Sequence, residues 1–202
     1  MRSILLALFL VALVWSGIRP HDTFTWALEV FPAVLGAILL VATRNRFPLT
    51  PLLLVLLFVH AIILVVGGHY TYALVPLGTW MQEAFGFTRN HYDRIGHFAQ
   101  GFVPAILARE ILIRHNVVRG RAWLFLIVLS ICLAFSALYE LLEWTAAVTT
   151  GEKAEAFLGT QGDVWDTQKD MALAMIGAIA AQLLLGKVHD RQLERITDSA
   201  SQ

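Results

Sequence analysis

Six long apolar runs, each closed by charged residues, proline or glycine, divide the sequence. They cover residues 4–18, 26–43, 52–66, 93–113, 122–144 and 163–185. Roughly 20 helical residues cross a hydrocarbon core about 30 Å thick, and tilt accommodates departures from that length. The pattern predicts a single all-α domain, a polytopic membrane helix bundle with about six transmembrane helices. The first run follows Met1-Arg2-Ser3, as a secretory leader would, but Ser16-Gly17-Ile18-Arg19-Pro20 offers no small-x-small cleavage site. It is read as a retained span. Asp22 or Thr23 stands where the second span needs a cap, and Pro48 and Pro51 punctuate the turn before the third. Gly67-Gly68 is expected to end that third span in a tight turn. Residues 67–92 then form the longest connection, with Trp80, Phe85 and Phe87 suited to the membrane–water interface.

Composition strengthens this picture. The chain is 57% hydrophobic and 15% charged, with a mean hydropathy of +0.66, whereas soluble domains average about 45–50% apolar and about 25% charged. The lipid bilayer is the expected surrounding. No basic run tracks a phosphate backbone, so nucleic acid is not an expected partner. Cys132 is the only cysteine and lies inside an apolar run, which excludes an intramolecular disulfide and a thiolate metal site. It reads as a buried, inert thiol. Charge also sets orientation. Arg2, Arg44, Arg46, Arg109, Arg114, Arg119, Arg121, Lys187, Arg191 and Arg195 fall on one side of a six-span arrangement. Arg19, Arg89, Arg94, Lys153 and Lys169 fall on the other. The positive-inside rule then places both termini in the cytoplasm.

Polar residues inside the apolar runs are the candidates for chemistry, because an unpaired charge in hydrocarbon is expensive. In His91–Pro104, Asp93, His97, Gln100 and Pro104 recur at helical spacing and form one stripe. On the fifth span Cys132, Ser136, Glu140 and Glu143 share a stripe, and on the sixth Asp163, Asp166 and Asp170 do the same. Ala174, Gly177, Ala178 and Ala181 continue near that side, small enough for close helix approach. The topology brings all these acids to the outer end of the bundle, with His69, Tyr70, His91 and Gln161 near the same level. Arg94 and Lys169 are expected to neutralise part of the group. Asp163 also suits a helix cap, His60 suits helix packing, and Glu152 and Glu155 read as solvated loop charges.

Three chemistries would use such a set. Carboxylates with imidazole suit a divalent metal ion such as Zn, Mn, Mg or Fe. The candidate ligands are His97, Glu140, Glu143, Asp163, Asp166 and Asp170. Paired acids would also split their pKa values for acid/base work, with Asp93, His97, Glu140 and Asp170 as candidate catalytic groups. Purely structural ion pairs with Arg94 and Lys169 are the third reading. Familiar motifs are missing: there is no HExxH, no Glu-x-x-His pair of di-iron bundles and no glycine-rich phosphate loop. GDVWDTQKD lacks the Asp-Gly and Ala-Arg of the CDP-alcohol phosphotransferase motif.

The segments GGHYTYALVPLG (67–78), NHYDRIGHFAQGFVP (90–104), ALYELLEWTAA (137–147) and FLGTQGDVWDTQKDMALAMIGA (157–178) together resemble the YjdF-like family of bacterial inner-membrane proteins. That resemblance spans essentially the whole chain and implies a multi-pass location in the bacterial inner (plasma) membrane, without naming an activity. A weaker similarity is to VanZ-like membrane proteins, whose acidic and histidine positions Asp93, His97, Glu140 and Asp166 or Asp170 would fill. The expectation is an outward-facing carboxylate/histidine site for a metal-assisted or acid/base enzyme acting on a lipid or envelope substrate. An ion- or proton-coupled transporter and a structural or assembly partner are the alternatives.

Overall fold

The computed structural model describes residues 2–150 and 160–200, so the expectation for Glu152 and Glu155 lies outside the described residues. Among the described residues there are seven α-helices and no strands. They are α1 (Arg2–Ser16), α2 (Thr23–Thr43), α3 (Pro51–Tyr70), α4 (Pro76–Phe85), α5 (Tyr92–Arg114), α6 (Arg121–Thr150) and α7 (Asp166–Ala200), with a 3-10 turn at Tyr72–Leu74. Four of them, α2, α3, α6 and α7, are long and apolar enough to cross a membrane. Of the remaining two spans predicted from sequence, α1 is 15 residues long and α5 carries charges at both ends.

Local signals explain most boundaries. Asp22 caps α2 by accepting a 2.7 Å hydrogen bond from the Thr25 amide, and this bond holds its carboxyl below the ordinary range. Thr50 caps α3, with Pro51 in the first turn where its missing N–H costs nothing. The short α4 starts at Pro76 and ends on Gly86, whose φ of 70° satisfies a carbonyl of the last turn. Trp80, Phe85 and Phe87 are exposed on and beside it.

Two expectations are corrected. Gly67 and Gly68 do not turn the chain; both lie within α3 and are buried. Their missing side chains let the Tyr72 ring lie against Gly67 and let Val30 and Glu29 approach Gly68. The turn falls at Thr71, with φ 58°. The last helix begins at Asp166, not Asp163, and runs on through the charged tail rather than stopping near 185.

Helix α5 is the most enclosed, with α3, α6 and α7 packed around it. The α5–α7 crossing is backbone against backbone. A side chain at Gly101 would strike the Ala174 carbonyl, and one at Gly177 would strike the Phe98 carbonyl. Ala174, Ala178 and Ala181 are fully buried beside them. The expected small-residue face is therefore a packing surface, and its partner is α5. The main apolar core joins Leu53, Ala105, Ile106, Val128, Cys132 and Ala178. Cys132 is fully buried, as its apolar surroundings suggested.

At the end of the bundle opposite Asp93, a polar network is sealed inside. Glu110 and His189 each have 0% exposure, and Glu110 Oε2 lies 3.0 Å from His189 Nε2. The Thr50 hydroxyl donates to Glu110 Oε2 at 2.7 Å, its amide to Oε1 at 3.1 Å, and Arg114 to Oε1 at 3.2 Å. Gln192 Oε1 accepts from the Leu52 amide at 2.9 Å, and Arg109 pairs with Asp190. These contacts dock the extension of α7 on α3 and α5.

Candidate functional site

The other end of α5 holds the acidic group. Asp93 and His97 occupy successive turns of α5; Tyr139, Glu140 and Glu143 come from α6, Asp166 and Asp170 from α7, and Glu29 from α2. All six of these carboxylates are buried, as is His97. Carboxylates from four helices converge because each sits on the inward face of its own helix, where hydrocarbon leaves a charge no other refuge.

The group divides into two parts. Nearest the loop, Arg89 pairs with Asp166 and lies 3.6 Å from Asp163 and 3.7 Å from Asp93. Arg94 donates to Asp163 at 2.9 Å and to Asp166 at 3.1 Å, and Lys169 donates to Asp163 at 2.6 Å. The Lys169 hydrogen bond, helped by the Trp165 amide and Arg94, holds the Asp163 carboxyl down at about 2. Asp163 precedes α7, accepting from the Trp165 amide with its side chain and from the Asp166 amide with its carbonyl. So Arg94 and Lys169 do neutralise acids, and the acids they serve are chiefly Asp163 and Asp166.

Deeper in, the balance changes. His97 Nε2 faces Asp93 Oδ1 at 3.3 Å and Asp170 Oδ2 at 4.0 Å. One ligand atom from each of Asp93, His97 and Asp170 lies within 4.8 Å of the other two. On the opposite side of the ring, Nδ1 lies 3.2 Å from Gln100 Oε1 and 3.7 Å from Glu140 Oε1. In the neutral ring, donation from Nδ1 to Gln100 leaves Nε2 with a lone pair aimed between two carboxylates; in the protonated ring Nε2 donates to Asp93 instead. Lone pair against carboxylate is repulsive unless a cation or proton lies between them. The count points the same way. Against Glu29, Asp93, Glu140, Glu143, Asp166 and Asp170 stand Arg89, Arg94 and at most a protonated His97. Asp170 Oδ1 and Glu140 Oε1 make no hydrogen bond among the described residues, although Arg94 Nε lies 3.6 Å from the first and His97 Nδ1 3.7 Å from the second.

Several expected members lie elsewhere. His69 Nδ1 meets the Ser16 carbonyl at 2.9 Å, and its ring packs between Trp15 and Tyr70, tying α3 to α1. His91 precedes α5 and packs edge-on to Phe87 at 4.7 Å. Partial burial and the nearby Arg94 and Arg89 lower its pKa. Gln161 clamps the Asn90 backbone, accepting from its amide at 3.0 Å and donating to its carbonyl at 2.9 Å. It fixes the loop before α7 to the start of α5. Glu29, Arg89 and Tyr139 are not marked as site residues by the sequence pattern. Tyr139 donates to Glu29 Oε2 at 3.3 Å, and its ring meets His97 edge-on. An acid inside the second apolar run was the available signal for Glu29.

Comparison with known proteins now adds the family. The family model described as "Predicted membrane protein (DUF2238)" matches residues 1–191. The chain belongs to this family. A protein of Escherichia coli (strain K12), "Inner membrane protein YjdF", is 54% identical over 183 residues, covering 91% of this chain and 88% of the relative. No solved structure matches the chain. This chain is an inner-membrane protein with several apolar helices, as the sequence resemblance implied.

Proposed function

We propose that the Asp93–His97–Asp170 group binds a divalent cation and that this site is the working centre of a membrane enzyme acting on a lipid or envelope substrate. The observation that carries the reading is the placement of His97 Nε2 between Asp93 Oδ1 and Asp170 Oδ2, at 3.3 and 4.0 Å. Tetrahedral ligands about 2.1 Å from a zinc-sized ion stand about 3.4 Å apart, so these residues fit the role after small adjustments. Glu140, on the far side of the imidazole, and Glu143 on the same helix supply further carboxylate. Gln100 acts as the outer partner that fixes the tautomer of a ligating histidine. A bound divalent ion would polarise a phosphoryl or carbonyl oxygen, or activate a water. The chain's own groups do the rest: Arg89 and Arg94 lie at the loop side, where they would orient an anionic group, and buried carboxylate is available to accept a proton.

The reading includes six membrane passes, by α1, α2, α3, α5, α6 and α7, with both termini in the cytoplasm and the site toward the outer leaflet. The arginine bias and the enclosure of α5 support it. Elemental analysis of protein purified without chelator tests the metal. About one divalent ion per chain is expected, lost in His97→Ala and Asp170→Asn; metal-free protein with an unchanged melting temperature would refute it. Reporter fusions at Gln202 and within residues 151–159 test the topology, and a C-terminal reporter active outside the cytoplasm would reverse it.

A further inference from the structure

A cavity opens at the end of the bundle that carries Arg2 and Arg44, opposite the end that holds Asp93 and His97. It occupies about 270 Å³ between α1 and α2, with α3 as its floor. The two walls are joined at the other end, where Trp26 donates to Ser16 Oγ at 3.0 Å and Gly17 lies against the Trp26 ring. From there the lining runs along both helices to Arg2 and Arg44. The walls are almost wholly apolar, and Gly36 leaves part of one wall open, with no atom within 4 Å of where its Cβ would stand. His60 lines the cavity with a buried Nε2 that makes no hydrogen bond among the described residues.

Dimensions and charge together specify the occupant. On α2 the lining runs from Arg44 to Pro32, a helical rise of about 18 Å. One leaflet of a hydrocarbon core is about 15 Å deep. The groove thus has the depth of an acyl chain and two guanidinium groups at its mouth. Arg2 donates only to the Leu49 carbonyl, at 3.4 Å, and neither arginine pairs with a carboxylate among the described residues. Basic pockets between membrane helices suit anionic lipid headgroups.

We infer that the α1–α2–α3 groove is a binding site for an anionic phospholipid, its phosphate held by Arg2 and Arg44 and one acyl chain lying over Gly36 toward His60. The arginines supply charge to the headgroup, and the apolar walls take a chain that would otherwise face the gap. Each basic residue near a membrane surface strengthens attraction to anionic lipid about fivefold.

The test is native mass spectrometry of the full-length protein in detergent, titrated with phosphatidylglycerol and with phosphatidylcholine of identical chains. The intact protein is expected to retain one phosphatidylglycerol, with preference over phosphatidylcholine on the order of 25-fold. Arg2→Gln combined with Arg44→Gln should bring the two lipids within about twofold of each other. Gly36→Leu should lose both lipids with an unchanged melting temperature, because the new side chain enters open space. Gly36→Ala, smaller still, should retain phosphatidylglycerol. Equal binding of the two lipids, or undiminished lipid binding by Gly36→Leu, would overturn the inference. So would a lipid-free dimer that Gly36→Leu dissociates, since that would make the groove an interface between two copies.

Discussion

Removing the Glu110 carboxylate should cost the protein more stability than any surface change, and the structure says how much. Four donors converge on this one group: the Thr50 amide and hydroxyl, Arg114 and His189. Breaking a buried ion pair by deleting one partner costs about 3–5 kcal/mol. The Thr50 amide, left without an acceptor in a sealed site, adds about 1–3 kcal/mol. Relaxation recovers part of this because Arg114 also donates to the Pro48 carbonyl at 2.8 Å. The expected loss for Glu110→Ala is therefore about 4–6 kcal/mol. His189→Ala removes one of the four donors and should cost about 2 kcal/mol. The double variant should cost about 2 kcal/mol less than the two losses added together, because each single change already destroys the shared contact. Denaturant unfolding in mixed micelles, followed by tryptophan fluorescence, measures all three. Additive losses within about 0.5 kcal/mol, or a Glu110→Ala loss below about 1 kcal/mol, would refute the idea that these groups hold one another.

Other outcomes follow elsewhere in the bundle. Gly101→Ala, which drives a methyl group into the Ala174 carbonyl, should lower stability by about 1–3 kcal/mol or more, seen as a fall in melting temperature. Gly36→Ala should be neutral or slightly stabilising in the same assay. Gln100→Leu should keep the fold and weaken retention of the divalent ion about 10- to 100-fold, measured by competition with a chelator. Asp163 is held at about 2 by Lys169, Trp165 and Arg94, below its ordinary 3.8. Its contribution to stability is thus fully present above 3.8 and disappears as pH falls through about 2. The emission of the neighbouring Trp165 should report that change, and Asp163→Asn should remove it.

The helices could be read from the sequence because apolar length and capping chemistry are local. Asp22, Thr50 with Pro51, and the small-residue face of α7 each announce themselves within a few residues. Helix α4 had its signals too, Pro76 at the start and Gly86 at the end, but ten residues inside a long connection carry little apolar weight. The acidic group was legible in part, since Asp93, His97, Glu140 and Asp170 interrupt apolar faces. Arg89 and Glu110 were not, and the reason is physical. Both lie next to segments that look solvated, and what buries them arrives from far along the chain: Asp166 for one, His189 for the other. Whether a charge is buried depends on such distant partners, which spacing alone does not reveal.

The glycine-on-carbonyl contact between α5 and α7 restricts how the acidic site can open. Two helices whose backbones touch at Gly101 and Gly177 cannot slide without driving side chains through main chain. Asp93 and His97 are thereby held in fixed register with Asp166 and Asp170, as if carried on one piece. A molecule reaching Glu140 without parting that pair would have to pass α6, α2 with Glu29, or the loop side that carries Asp163 and Asp166. Were a ligand to enter the proposed site, the walls would move around the α5–α7 pair, and a crosslink between α5 and α7 should leave that entry unhindered.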